Sequence, residues 1–359
     1  MSRITVAVFT YNRAEYLRGS LQSILDQTYS DMDIVVYDNA STDNTGSVVK
    51  AMGDKRITYI RNEKNLGQHG NFNRALSECK TEYIMIFHDD DIMMPHLVKT
   101  EVEIMDQNPG AAMAAQLFSA TTHIDERGEI IQTPDPDGPA SIVYDAGEYI
   151  KDNIKRGYNT ICFPAAIFRS KYISEHNFRF DEKCGPAADW LFWFQINAKC
   201  TIVGINIPVI KYRLHSGSCT SQSSKEDQRG KSHYYIEQWL DSNGYEDTQA
   251  FHDYFIVDLL PDLRNTCMQK DYIDLILSRL EELEDKYAWT FSTDKKKADT
   301  VLSPIVSAVN EKKADIYYYL RARREFEKRS GIYISKLYRI DWIIKNCIYS
   351  IFQKNCSYT

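Results

Sequence analysis

The sequence predicts an α/β fold on three observations. Short β-rich runs alternate with runs of helical period through the first hundred residues. Several of the β-rich runs stop abruptly on acidic or amide residues, as strands do where they leave a core. With 43% hydrophobic and 26% charged residues over 359 positions, the chain has the make-up of a globular protein long enough for one large domain and an appended piece.

Each element has a local reason. Residues 4–9 are rich in β-formers. Residues 14–27 place Tyr16, Leu17, Leu21, Ile24 and Leu25 on one helical face. Residues 33–37 form a short apolar strand ending at Asp38, 43–52 are helix-like and 56–60 are β-like. Residues 68–79 read as helix, 82–87 as strand, 96–107 as helix and 111–118 as strand. This alternation predicts a parallel sheet wound by right-handed crossovers. Residues 125–139 turn polar and rich in proline and glycine, which reads as a hairpin or excursion. A second series follows, with helix at 147–156, strand at 161–168, helix at 187–197 and strand at 209–214. Residues 216–229, rich in Ser, Lys and Gln, mark a boundary, and beyond it 237–240, 251–263, 272–287 and 316–326 carry helical period.

Bulk properties narrow the function. A net charge of -7 opposes nucleic acid as the main partner, because binding a phosphate backbone needs a basic surface. None of the eight cysteines is in C-x-x-C spacing, which points to unpaired thiols in a reduced, cytosolic setting. The apolar part of the N-terminus is too short for a signal peptide, and no stretch approaches the roughly 18 apolar residues of a membrane span.

The most informative run is 83–91, Tyr-Ile-Met-Ile-Phe-His-Asp-Asp-Asp, an apolar strand that ends on three carboxylates. A buried strand cannot carry such a cluster, so the cluster belongs at the strand's C-terminal end, where open α/β sheets bind ligands. Adjacent carboxylates repel unless they share a cation, and a hard divalent metal suits oxygen ligands. A solvated turn or a helix start before Pro95 is the competing reading. Three further places echo this one. Phe9-Thr10-Tyr11-Asn12-Arg13 lacks the glycines of a dinucleotide-binding or Walker turn, but its aromatic and Arg can flank a base and a phosphate. Tyr37-Asp38-Asn39 leads into Ser41 and Asp43, either as base and ribose acceptors or as a capped turn. Asp189 stands alone at the head of an aromatic helix, where desolvation suits a general base and position suits an N-cap.

Taken in order and spacing, these pieces resemble a family 2 glycosyltransferase. The resemblance covers about residues 3–220. It is carried by Val-Phe-Thr-Tyr-Asn-Arg at 8–13, the run from Gln27 to Asp43, Asn-Leu-Gly-Gln-His-Gly-Asn-Phe-Asn at 65–73, His-Asp-Asp-Asp-Ile-Met-Met-Pro at 88–95, Ala-Asp-Trp at 188–190 and Tyr-Arg-Leu-His at 212–215. It implies a GT-A type, Rossmann-like mixed sheet flanked by helices, with a helical C-terminal extension. The catalytic domain would span residues 1–225, with a nucleotide-sugar half at about 1–118 and an acceptor half at about 119–225. Residues 226–359 would form the helical region.

The resemblance also implies roles. Phe9, Tyr11, Asp38, Asn39, Asn71 and Asp89 would line the nucleotide-sugar. Asp90, with His215, would hold Mn2+ or Mg2+. Asp189 would be the catalytic base and Trp190 would face the acceptor. Three departures stand out: Asn39 replaces a second Asp and leaves the nucleotide open, His88 replaces the first Asp of a strict D-x-D, and Ala188 replaces the usual Glu before Asp189. The implied chemistry is inverting transfer from a nucleotide-diphosphate sugar, UDP- or GDP-linked, to a hydroxyl of a glycan or lipid-linked acceptor in bacterial surface polysaccharide synthesis. The aromatic and cationic stretch 336–354 suits a lipid interface, docking on its own domain, or a homodimer contact, so the expected location is cytoplasmic with peripheral membrane contact as one alternative. Two competing classes remain: a sugar nucleotidyltransferase, opposed by the missing glycine-rich loop, and a non-catalytic carbohydrate-binding protein, opposed by the intact Asp38, Asp89, Asp90 and Asp189.

Overall fold

The computed structural model describes residues 2–218 and 229–245, residue 157 excepted. All of them fall in one compact unit, Met1–Phe251. The helical runs read at 251–263, 272–287 and 316–326, and the stretch 336–354, lie outside the described residues.

The first half follows the alternation in the sequence. It runs β1 (Ile4–Thr10), α1 (Ala14–Leu25), β2 (Met32–Asp38), α2 (Thr45–Met52), β3 (Ile57–Arg61), α3 (Gly67–Glu78), β4 (Tyr83–His88), β5 (Ile92–Met93), α4 (Leu97–Gln107) and β6 (Ala111–Leu117). The second half adds β7 (Thr122–Ile124), β8 (Ile130–Gln132), β9 (Ser141–Tyr144), α5 (Glu148–Arg156), β10 (Ile161–Arg169), α6 (Ser170–Glu175), α7 (Ala188–Asn197), β11 (Thr201–Ile205), β12 (Ile210–Arg213) and α8 (Arg229–Ser242).

Eight strands form the main sheet in the order β3-β2-β1-β4-β10-β6-β11-β9. The expected parallel pairing holds among β1 to β4 and between β6 and β11. It fails at β10, which runs antiparallel between β4 and β6. The reason is the chain's point of entry. Ile161 pairs with Leu117 at the C-terminal end of β6, and Arg169 pairs with Tyr83 at the start of β4. The excursion after β6 therefore delivers the chain to the C-terminal edge, and β10 runs back from there. The sheet is mixed, with helices on both faces, as in the GT-A architecture.

The period-2 pattern divides the strand residues between two cores. In β1, Ile4, Val6 and Val8 face one core while Ala7 and Phe9 face the other. Leu17, Leu21 and Ile24 of α1 lock the first, and Phe72, Ala75 and Leu76 of α3 the second. Each is a fully or nearly fully buried side chain, and Leu21→Ala would remove about 2–5 kcal/mol of stability. Helix α7 is buried around almost its whole circumference by Trp190, Leu191, Phe192, Trp193, Phe194 and Ile196. Helix α8 falls in the stretch read as the C-terminal region, yet Ile236 and Leu240 pack into the same core as α7.

A small second sheet, β5-β12-β7-β8, lies beside the main one. Its role is positional: β12 pairs with β5 just after the acidic run and carries residues 213–215 back beneath it.

Candidate active site

Register brings the functional ends of the parallel strands into one line. Thr10 pairs with Asp38, and Phe9 with His88, so β1, β2 and β4 leave the sheet side by side. Asn39 N–H donates to the Thr10 carbonyl, and Asn12 and Ala40 adopt left-handed backbone at φ 53° and 69°. Two loops are thereby folded against each other: Asn12 N–H donates to Ser41 Oγ (2.9 Å) and Thr42 N–H donates to Asn12 Oδ1 (2.7 Å).

Around Asp38 the polar groups are internally satisfied. Asp38 Oδ1 accepts from Ser41 N–H (2.8 Å), Oδ2 accepts from the Tyr59 hydroxyl (2.5 Å), and Arg61 Nε lies 3.8 Å away. Asn39 uses its full capacity. Its amide nitrogen donates to Asn65 Oδ1 and to the Gly67 carbonyl, and its oxygen accepts from Asn62 and from Leu66 N–H. An amide has two donors and two lone pairs, so none is left for a base. Asn39, expected beside the nucleotide, braces the loop through these bonds. Asn71 is buried and bridges Asn62 to the Tyr37 carbonyl. Phe9 is buried too, stacked on Tyr37 with its edge to Phe72. Tyr11, 46% exposed, is the aromatic of this rim that faces solvent.

The acidic turn is different. Asp89, Asp90 and Asp91 are all buried, at 2%, 7% and 1% exposure, although they form a turn. Asp91 Oδ1 accepts from Arg213 N–H (2.7 Å), while Arg213 Nε donates to the Asp90 carbonyl (2.7 Å). Asp90 Oδ2 takes Arg13 Nη1 at 2.7 Å and His215 Nε2 at 3.0 Å. Arg13 also reaches Asp89 Oδ1 at 3.3 Å. Asp89 Oδ2 and Asp91 Oδ2 are buried with no hydrogen-bond partner among the described residues. Burial, with the neighbouring Asp90 charge, pushes Asp89 up to about 7 and Asp91 well above the usual carboxylate range. Burial acts on Asp90 as well, but the His215 hydrogen bond and the His88 and Arg13 charges hold it below that range. One carboxylate is thus kept charged between two that resist ionisation, and an added cation would ionise all three.

The donor set fits a divalent metal. Ligand atoms of His88, Asp90 and Asp91 lie within 4.8 Å of one another, and His215 shares the Asp90 oxygen. Two buried orphan oxygens and imidazole nitrogens suit Mn2+ and Mg2+, with nitrogen favouring Mn2+.

Asp189 lies in the first turn of α7. A sharp turn at Gly185, at φ 67°, and Pro186 precedes α7, and Asp189 is half-buried where its helix neighbours are buried. Burial pushes its carboxyl up to about 6, with no counter-ion beside it among the described residues. Cys162 at the start of β10 feels both Asp91 and Asp189, and the rings of His88, Phe163 and Trp193 stack edge-on in a row from the turn to α7. Trp190 departs from its expected acceptor role. It is 4% exposed, its indole N–H donates to Asn153 Oδ1 at 3.0 Å, and its ring packs on Phe194.

The sequence reading offered Arg13 as a neighbour for a phosphate without tying it to the acidic turn, and it did not place Arg213, Tyr59 or Arg61 at the site. Tyr59 and Arg61 alternate on one face of β3, a pattern visible in Ile57-Thr58-Tyr59-Ile60-Arg61.

A mixed sheet in this order, flanked by helices and with an acidic turn at the end of its fourth strand, has the GT-A architecture. Residues 5–176 match the family model described as "Glycosyl transferase family 2", and these residues form a domain of that glycosyltransferase family. It is 32% identical over 199 residues to an uncharacterized glycosyltransferase, MJ1057, of Methanocaldococcus jannaschii, covering 54% of this chain and 63% of that relative. It is 25% identical to the Escherichia coli UDP-Glc:alpha-D-GlcNAc-diphosphoundecaprenol beta-1,3-glucosyltransferase WfaP, covering 63% of this chain and 83% of WfaP. Among solved structures it resembles S. aureus TarS 1-349 in complex with UDP-GlcNAc, with TM-score 0.56, 18% identity, and 92% and 93% of the two chains covered. It also resembles the Pyrobaculum calidifontis mannosyltransferase PcManGT in complex with GDP-Man and Mn2+, with TM-score 0.50, 16% identity and 87% of each chain covered.

Proposed function

We propose that the chain transfers a sugar from a nucleotide-diphosphate donor to a hydroxyl of a glycan or lipid-linked glycan acceptor, with inversion at the anomeric carbon. The observation that carries this reading is the buried acidic turn, whose Asp90 is held charged while its neighbours keep unpartnered oxygens. Asp90 and His215, with His88 and Asp91 in reach, would hold Mn2+ or Mg2+. Bound there, the ion would neutralise the charge that develops on the departing diphosphate.

The chain's own residues supply the rest. Tyr11 and Asp38 form the rim for base and ribose, and the Asn39–Asn62–Asn71 network keeps that rim rigid. Asp189 takes the proton of the acceptor hydroxyl. The hydroxyl oxygen bonds to the anomeric carbon as the bond from that carbon to the diphosphate oxygen breaks, in a single displacement. A carboxyl at about 6 is unprotonated near neutrality yet basic enough to accept that proton. The likeness to WfaP, named for a diphosphoundecaprenol-linked acceptor, supports a lipid-linked acceptor and work at a membrane surface. Among the described residues no helix is long and apolar enough to cross a membrane.

The test is a panel of UDP- and GDP-sugars assayed for nucleotide release with and without Mn2+. Release that needs both a sugar nucleotide and metal supports the transferase. Turnover of a nucleoside triphosphate with a sugar phosphate would instead make the chain a nucleotidyltransferase.

A further inference from the structure

We propose that Arg13 is an exchangeable counter-cation of the acidic turn, which leaves Asp90 when a divalent cation binds there and then engages the donor's diphosphate. This rests on the reading that Asp90 holds the cation. Arg13 lies just after β1, 77 residues from Asp90 in sequence, yet its Nη1 is 2.7 Å from Asp90 Oδ2 and 3.3 Å from Asp89 Oδ1. Its Nη2 donates to the Gly217 carbonyl at 2.7 Å. The same Asp90 oxygen meets His215 Nε2 at 3.0 Å.

The two donors on that oxygen differ in kind. An imidazole nitrogen carries a lone pair that can turn to a metal, so His215 can stay as a ligand. A guanidinium has donors only and does not deprotonate, so it cannot. A dication within about 2.0–2.6 Å of an oxygen and a guanidinium donating to that oxygen repel each other at close range. Arg13 and the cation therefore exclude one another at Asp90 Oδ2. Arg13 has somewhere to go, since its side chain is 28% exposed while those of Asp89 and Asp90 are 3% and 9% exposed. Its planar fork matches two phosphate oxygens. Its departure also releases the Gly217 carbonyl, so cation entry is coupled to the segment that follows His215.

The experiment measures Mn2+ binding to the full chain by electron paramagnetic resonance, with and without UDP or GDP. Wild type, Arg13→Met and Arg13→Gln are compared, and thermal melting checks each fold. Loss of the competing charge should tighten Mn2+ binding without nucleotide by about tenfold in both variants. It should also weaken nucleotide diphosphate binding in the presence of Mn2+. A merely structural Arg13 would loosen metal binding or leave it alone, so a gain separates the two roles. Either variant that melts cooperatively suffices. Equal or weaker Mn2+ binding by a folded variant overturns the role of Arg13 and leaves the transferase reading standing. Wild type that binds no Mn2+ even with nucleotide overturns both.

Discussion

The loop at Asp38 and the turn at Asp89–Asp91 leave adjacent ends of the same sheet, are equally buried and are equally polar, yet they are organised in opposite ways. At the first, Asp38 and Asn39 find partners within the protein, and the Asn39 amide uses all four of its bonds. At the second, two buried carboxylate oxygens have no hydrogen-bond partner among the described residues, and the third carboxylate is held by Arg13 and His215. A fully partnered network is rigid and gains nothing from a ligand. An under-partnered one is destabilised until something cationic arrives. On the proposed function the first loop is frame, the rigid rim for the donor, and the second carries the chemistry, and Asp189, half-buried, goes with the second kind.

The largest expected effect is at Asp189. Asp189→Asn should keep its fold and lose transfer by about 100- to 10,000-fold, the range for removing a general base. Wild-type kcat/KM should rise with pH through a midpoint near the carboxyl's value of about 6, and that limb should vanish in the residual activity of Asp189→Asn. The same group marks stability. Its folded value of about 6 lies above the ordinary 3.8, so between those two values the native state holds more protons than the unfolded chain and stability falls as pH rises. Urea melts across that window should show a shallower fall for Asp189→Asn. A wild-type rate that is flat from pH 5 to 8 would return Asp189 to the frame.

The frame was more legible in the sequence than the chemistry. β1 to β4 and α1 to α4 each carry several residues of clear period, so their positions could be read locally. β5, β7, β8 and β9 hold only two to four residues each, too few for a period, and exist through their pairing partners. β11 was missed for another reason. Gly204 interrupts its apolar run, and the gap it leaves is filled by Leu117, whose Cδ2 would lie 2.9 Å from an added Cβ. At the site, the Asp run and Asp189 showed in the sequence because charge at the end of an apolar run is a local signal. Arg13 and Arg213 reach the turn across 77 and 123 residues, and no local pattern encodes that. The bracing by Asn39 was hidden for the same reason, since whether an amide is free depends on Asn62 and Asn65, which are remote in sequence.

A smaller effect separates frame from chemistry by stability alone. Asn39→Ala strands the buried Asn62 amide and removes the partner of Asn65 and of the Leu66 N–H, and should lower stability by about 1–3 kcal/mol. Asp89→Asn removes a carboxylate with an orphan oxygen, and should leave stability within about 1 kcal/mol of wild type while weakening nucleotide-sugar binding. Denaturant midpoints and nucleotide binding, measured on both variants, read the two effects. If Asn39→Ala were the milder of the two in stability, the assignment of frame and chemistry would be reversed.

The smallest effect tests whether an orphan carboxylate is enough to mark a site. Glu101 of α4 is fully buried, and neither of its side-chain oxygens has a hydrogen-bond partner among the described residues. Burial alone pushes its carboxyl well above the usual range, with no charged neighbour contributing. It therefore differs from Asp89 and Asp91, whose shifts come partly from Asp90 and, for Asp91, also from Asp89. Its helix neighbours Leu97, Val98, Val102 and Met105 all belong to the apolar core. Glu101→Met, close in length and apolar, should raise stability by about 1 kcal/mol and leave transfer unchanged, because nothing at that place asks for a charge. A thermal melt and the transfer assay decide it. A Glu101→Met protein that melted higher but had lost activity would mean that isolation from other charges does not separate a packing flaw from a functional group, and Glu101 would then join the chemistry.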